Sequence, residues 1–326
     1  MNREGVGSYS ENYQRPEVGT VCILSAGRSG STLLNLMLAG HPDAVAVGEI
    51  THLPKNLALN TNCQCGMPVR ECGFWEEVLS HLPIDTSQDP YLLETGFIDA
   101  TRVIDHDHAT RIYKSRWKVI NAIIGAGFLT KVKFPIPRFN RSIAHTKSLF
   151  DAIRLVSQSQ VVVDSSKSYL KTLGLYYSAP ESTRLIVLCR DGRGVMWSEL
   201  KSGTNRDAAL SGWKTYYERT LRLLNSVDKK HVAYVRYEDL TKQPEQEMRR
   251  LAEFLGFSFH PGMLRLDSKT HHLANGNDMR FSSSAVKRTD VSWNDMPADD
   301  LRYFEKHAGA FNTWLTTEVG RNISGT

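Results

Sequence analysis

The eight residues Ser25-Ala-Gly-Arg-Ser-Gly-Ser-Thr32 have the composition of an anion holder. Gly27 and Gly30 let the backbone turn tightly, so that successive N–H groups can face one anion. Ser29, Ser31 and Thr32 add hydroxyl donors, and Arg28 adds a permanent cation with forked geometry. An apolar run, Thr20-Val-Cys-Ile-Leu24, precedes the loop, and a helical stretch from Ser31 to Ala39 follows it. The start of that helix brings its own partial positive charge to the same point. The segment therefore reads as a phosphate cradle. It is not the loop of ATP-binding enzymes, which runs Gly, four residues, Gly, Lys and then Ser or Thr. Ser25 stands where that pattern has its first Gly, and Ser31 stands where it has the Lys.

A second cation lies far along the chain. Arg190 follows the apolar run Arg184-Leu-Ile-Val-Leu-Cys189, and Ser198 falls about two turns into the helix after it. A guanidinium and a hydroxyl so placed can grip another phosphate from two sides. Other groups also stand at the carboxyl ends of apolar runs. Glu49 follows Ala44 to Val47, Lys167 closes Asp164-Ser-Ser-Lys167 after Gln160-Val-Val-Val-Asp164, and Tyr237 follows His231-Val-Ala-Tyr-Val-Arg236. Glu49 can serve as a general base, with the imidazole of His52 second in line. Asp164 is placed to orient Lys167 or to hold Ser166. Tyr237 reads either as a neighbour of a nucleotide's base or as core. Trp197 and Trp213 read as helix packing.

These groups need a scaffold that brings strand ends together. Five short apolar runs separated by helical periods predict an α/β, P-loop-like three-layer fold: a central, mostly parallel sheet flanked by helices. Ligands bind such sheets beyond the carboxyl ends of the strands. Residues 1–19 read as a flexible lead, and residues 20–326 read as one domain. The stretch from about 85 to 150 breaks the alternation. It is rich in Lys and Arg and holds His106, His108, Trp117 and the breaker Phe134-Pro-Ile-Pro137. It predicts a mostly helical insertion over the acceptor site.

Composition narrows the partners. The chain has 326 residues, 41% hydrophobic and 23% charged, which is ordinary for a globular protein and argues against disorder. The formal net charge is +5, with no block of five or six like charges, which suits small anions and not a nucleic acid duplex. No apolar run is long enough to span a membrane, and the first residues lack the apolar centre of a signal peptide, so a cytoplasmic protein is expected. Cys22 and Cys189 sit in strand-like runs and read as buried small hydrophobes. Cys63, Cys65 and Cys72 cluster in Asn62-Cys-Gln-Cys-Gly-Met-Pro-Val-Arg-Glu-Cys72. They can hold zinc with His52 or His81 as a fourth ligand, pair as a disulfide, or stay free in a compact turn.

The loop before Leu33-Leu34 and the Arg190–Ser198 pair, in this order, resemble the PAPS-dependent sulfotransferases (PAPS is 3′-phosphoadenosine-5′-phosphosulfate). The resemblance runs from about residue 20 to 295. It extends to Asp164-Ser-Ser-Lys167, to Tyr237-Glu-Asp-Leu240 before a Pro-containing helix, and to Gly276-Asn-Asp-Met-Arg280 followed by Trp293. In that family the first loop holds the 5′-phosphosulfate, while an Arg and a Ser eight residues later hold the 3′-phosphate. Here these are Gly27 to Thr32, and Arg190 with Ser198. The resemblance implies that Lys167 assists the leaving nucleotide and that Glu49 is the base, in a Gly-Glu pair after His41-Pro42. It also implies a loop that closes over the phosphates, with Arg280 and Asn277 in contact. Arg28 stands where the cytosolic small-molecule members usually carry Lys. That departure moves the likeness toward the bacterial, tyrosylprotein and carbohydrate branches and leaves the acceptor open.

The implied reaction moves a sulfuryl group in line from PAPS to a hydroxyl or amine of a small-molecule, sugar or lipid acceptor, and leaves adenosine 3′,5′-bisphosphate. As in phosphoryl transfer, the protein positions the reactants and neutralises charge, and no metal is required. The basic stretch suggests a polar or anionic acceptor. The sequence leaves the oligomeric state undetermined. Two rivals are a P-loop nucleotide kinase, which the missing loop lysine disfavours, and a non-catalytic nucleotide-binding protein of the same fold. Glu49, Arg28 and Lys167 together disfavour the latter.

Overall fold

A computed structural model describes residues 18–96, 137–267, 270–281 and 292–324. Five parallel strands form one sheet in the order β2-β3-β1-β4-β5. They are β1 (Thr20–Leu24), β2 (Ala44–Gly48), β3 (Val161–Asp164), β4 (Thr183–Cys189) and β5 (Val232–Arg236). Each predicted strand is present, to within a residue at either end. The helices are α1 (Ser31–Ala39), α2 (Leu53–Leu59), α3 (Gly73–Ser80), α4 (Pro137–Ser157), α5 (Tyr169–Ser178), α6 (Gly192–Lys201), α7 (Arg206–Leu224), α8 (Tyr237–Lys242), α9 (Pro244–Phe254), α10 (Ala298–Phe304) and α11 (Ala310–Ser324).

The strands are apolar apart from residues at their ends because helices cover both faces. Alternate residues divide between them. Val21 and Ile23 of β1 and Ile186 and Leu188 of β4 pack with Leu36 and Met37 of α1 and Leu251 of α9. Cys22 of β1 and Val162 of β3 face the other way, onto Trp75 of α3 and Phe150 and Ile153 of α4. On that same face Leu24, Leu185 and Val187 meet Trp213 and Tyr217 of α7 and Leu315 of α11. Trp213 is a core residue, as expected.

The order places β1 in the middle. From β1 the chain goes out to β2 at the edge, returns to β3 between β2 and β1, and then crosses to β4 and β5 on the other side of β1. The direction of winding thus reverses at β1, which marks a crevice at its carboxyl end. The stretch from 85 to 150, expected to be an insertion, enters the core at its end: Phe139, Ile143, Leu149 and Phe150 of α4 are buried. Its middle, residues 97–136 with His106, His108 and Trp117, lies outside the described residues. Among the described residues no helix is long and apolar enough to cross a membrane.

Candidate active site

Each strand contributes a site residue at or just beyond its carboxyl end. After β1, the loop passes through left-handed backbone at Arg28 (φ 59°) and Gly30 (φ 92°). Left-handed residues in such a turn direct N–H groups toward a common concavity. Gly30 is also the N-cap of α1, whose first N–H groups have no partner inside the helix. A Cβ on Gly30 would lie 2.4 Å from Cδ2 of Tyr237, so both the backbone angle and the ring demand glycine. Gly27, Arg28, Gly30, Ser31 and Thr32 line a cleft of about 370 Å³. Ser29 does not reach it. Its hydroxyl is fully buried and accepts from the Tyr217 hydroxyl at 3.3 Å, so Ser29 supports the loop from beneath instead of donating to an anion.

After β4, Arg190 is 7% exposed and crosses back to the first loop, where Nη1 donates to the Arg28 carbonyl at 2.7 Å. Its guanidinium also stacks over Tyr237, 4.7 Å from the ring centroid. Arg190, Ser198 and Tyr237 line the same cleft as the first loop. Tyr237, at the end of β5, is therefore a wall of the cleft between Gly30 and Arg190. Arg28 reaches Glu199, beside Ser198, with Nε 3.7 Å from Oε1.

After β2, the strand register shifts between Ala46 and Gly48, and Gly48 turns to φ 71°. A Cβ there would fall 2.2 Å from the Asn275 carbonyl oxygen. This irregular exit brings Glu49 to the cleft. After β3, Lys167 also adopts left-handed backbone, φ 58°, which a non-glycine residue holds only under constraint from its surroundings. Its ammonium donates to Glu49 Oε1, and the other carboxylate oxygen of Glu49 lies 3.6 Å from His52 Nε2. Burial pushes the His52 imidazole below its ordinary value, against the opposing pull of Glu49. The two candidate bases and the candidate cation thus form one cluster. The Tyr216 hydroxyl donates to the Lys167 carbonyl at 3.1 Å and fixes the turn.

Asp164 holds Ser166, accepting its N–H at 2.9 Å, and does not meet Lys167. Its partner is Lys171, with Nζ 2.8 Å from Oδ2, which sequence reasoning passed over as a helix residue. Asn277 lines the cleft and its N–H donates to Thr32 Oγ1 at 3.3 Å. Arg280 is placed differently: it reaches the Asn62 carbonyl at 3.2 Å and is not part of the lining. Gly276, the start of the same motif, lines it too, as does Asn275, which was not singled out. Trp293 lies under the Arg193 guanidinium at 3.9 Å, against the start of α6.

The crevice, the cradle and the opposed cations define an α/β protein with a cationic cleft beyond the carboxyl ends of its strands. Comparison with known proteins shows what the chain resembles. The family model described as the sulfotransferase family matches residues 130–261. A segment of 118 residues is 32% identical to cytosolic sulfotransferase 1 of Arabidopsis thaliana; it covers 36% of this chain and about a third, 32%, of that protein's length. The fold is similar to the sulfotransferase domain from the curacin biosynthetic pathway, at TM-score 0.50 and 19% identity over 89% of this chain and 97% of that one. It is equally similar to the sulfotransferase domain of the Synechococcus PCC 7002 olefin synthase, at TM-score 0.50 and 19% identity over 90% and 96%. The sequence likeness to the sulfotransferase family thus lies in residues 130–261, while the likeness in fold extends over most of the chain.

Proposed function

We propose that this protein transfers a sulfuryl group from PAPS to a hydroxyl or amine of a small polar acceptor, in a cytoplasmic setting. The observation that supports it best is the convergence of two separate anion grips on one cleft. One is the left-handed loop with Arg28 and the start of α1. The other is Arg190 with Ser198. The ring of Tyr237 stands between them. A nucleotide with phosphate at both its 5′ and 3′ positions fits that spacing of charge, whereas a nucleotide with a single phosphate group engages one grip only. When bound, PAPS supplies the activated sulfuryl group.

In this reading the loop N–H groups and Arg28 neutralise charge that develops at the 5′ end as the bond breaks. Lys167, held at the cleft by Glu49, adds a second cation there. Glu49 takes the acceptor's proton, and His52 fixes the orientation of its carboxylate. The Lys167–Glu49 contact means that the base and the cation are aligned by each other before an acceptor arrives.

The test is thermal. Adenosine 3′,5′-bisphosphate at a hundred times its Kd should add about 2.7 kcal/mol of stability by mass action. Adenosine 5′-monophosphate at the same concentration should raise Tm far less. Arg190→Ala should erase the difference between the two. Equal shifts from both nucleotides in the unaltered protein would rule out the double-grip reading.

A further inference from the structure

The three clustered cysteines meet a histidine from the far end of the chain. Cys63, Cys65, Cys72 and His272 direct one ligand atom each to a common point, and those four atoms all lie within 4.8 Å of one another. The Cys72 sulfur is 3.6 Å from that of Cys65 and 3.7 Å from that of Cys63. His272 Nδ1 is 3.3 Å from the Cys72 sulfur and 3.9 Å from the Cys63 sulfur. Zinc bonds of about 2.3 Å to sulfur and about 2.0–2.1 Å to nitrogen set tetrahedral edges of about 3.8 Å and about 3.6 Å. The two sulfur–sulfur edges fall just short of the first value, and the two nitrogen–sulfur edges lie on either side of the second. They are too short for the corners of an iron–sulfur cluster, and they exceed the bonded sulfur distance of about 2.05 Å in a disulfide.

The surroundings supply donors to the sulfurs and fix the loop. Backbone N–H groups of Cys65, Met67 and Trp75 face the sulfurs of Cys63, Cys65 and Cys72 in turn. The tight return of the chain is closed by Gly66 at φ 93° and by the Cys63 N–H bond to the Met67 carbonyl at 2.9 Å. Cys72 caps the start of α3, where the helix favours negative charge. The imidazole of His272 stacks on Phe74 with centroids 4.7 Å apart, and its carbonyl accepts from the Trp75 indole at 2.9 Å. The Gln64 N–H donates to the Leu273 carbonyl at 3.1 Å. The histidine is thus delivered to the cysteines by contacts that are independent of any ion.

We propose that Cys63, Cys65, Cys72 and His272 bind one zinc ion in a closed tetrahedral site. Four protein ligands leave no position for water or substrate, so the ion is structural. Its effect reaches the cleft, because three residues beyond His272 the same segment supplies Asn275, Gly276 and Asn277 to the lining. Asn56 also fixes that segment, donating to the Ala274 carbonyl at 3.0 Å. The ion clasps the segment to the cysteine loop and holds the last wall of the cleft in place.

The experiment is metal analysis of tag-free protein purified under reducing conditions, followed by replacement of zinc with Co(II). The expected result is close to one zinc per chain. The cobalt form should show the visible bands of a tetrahedral ion and thiolate-to-cobalt charge transfer. His272→Ala should change those bands and lose zinc to a chelator that the unaltered protein withstands, and Cys72→Ser should abolish them. Metal-free protein that takes up no Co(II), or a disulfide found by mass, would overturn the proposal. So would a His272→Ala cobalt spectrum identical to that of the unaltered protein. If Cys72→Ser does not fold, the unaltered protein and His272→Ala still decide. None of these readings depends on nucleotide. A protein that binds zinc and no bisphosphate would defeat only the sulfuryl-transfer reading.

Discussion

Lys167 and Lys171 are four residues apart, and each meets a carboxylate. Lys167 pairs with Glu49 at the cleft, with side chains 20% and 18% exposed. Lys171 pairs with Asp164 beneath it, with side chains 1% and 2% exposed. The chemistry of the partners is the same, and only access differs. The upper pair can exchange its contacts for those of a ligand. The lower pair cannot be reached and serves as a floor. Lys171 also donates to Ser166 Oγ at 2.9 Å, and that oxygen accepts the Thr51 N–H at 3.0 Å. The floor therefore ties together the two segments that carry Glu49 and Lys167. A charge pair in the interior contributes position, and one at the mouth stays open to exchange.

The largest effect should come from breaking the floor. Lys171→Met leaves the Asp164 carboxylate buried without a cation, which should cost about 3–5 kcal/mol. Urea unfolding measures the loss. Adding Asp164→Asn should recover much of it, because removing both charges is far milder than removing one. A single variant as stable as the unaltered protein would show that the pair is not held as drawn.

At the mouth, the expected pattern is reversed. Glu49→Gln should lower kcat by about 10²–10⁴-fold, the usual contribution of a positioned base. Its stability should change by no more than about 1 kcal/mol, as for other partly exposed pairs. Affinity for adenosine 3′,5′-bisphosphate should be unchanged. Full turnover by this variant would move the base elsewhere, with His52 first in line.

The smallest effect concerns pH. His52 is held below its ordinary value by burial, so the unfolded chain takes up a proton before the folded one does. Its share of stability is therefore undiminished above about pH 6.5 and declines as pH falls through that value toward the lowered folded one. His52→Gln should make the slope of urea midpoint against pH shallower as pH falls below about 6.5. An unaltered slope would show that the imidazole is already open to solvent.

The comparison also separates what the chain's order reveals from what only packing decides. The five strands were legible because each centres on a short apolar run, and the first loop because its glycines, arginine and hydroxyls fall within six residues. Lys171 was not, since a lysine between Leu170 and Thr172 looks the same on paper whether its helix face is buried or wet. Ser29 was given to the anion on residue type, but the left-handed turn at Arg28 sends its hydroxyl downward, and no composition predicts that angle. The fourth metal ligand was sought at His52 and His81 because spacing reasoning looks nearby. His272 lies 200 positions beyond Cys72, and only the fold brings them together.

The central position of β1 has a consequence for biosynthesis. Thr20 pairs with Val162 on one side and Thr183 on the other, so the first of the described strands waits for partners that emerge about 140 and about 160 residues after it. At about 5–20 residues per second, that interval is on the order of ten seconds or more. Throughout it, the cradle that β1 carries has neither Arg190 nor Tyr237 to brace it. A nascent chain interrupted before β4 should therefore display no affinity for nucleotide, and ligand cannot act as an early template for folding on the ribosome.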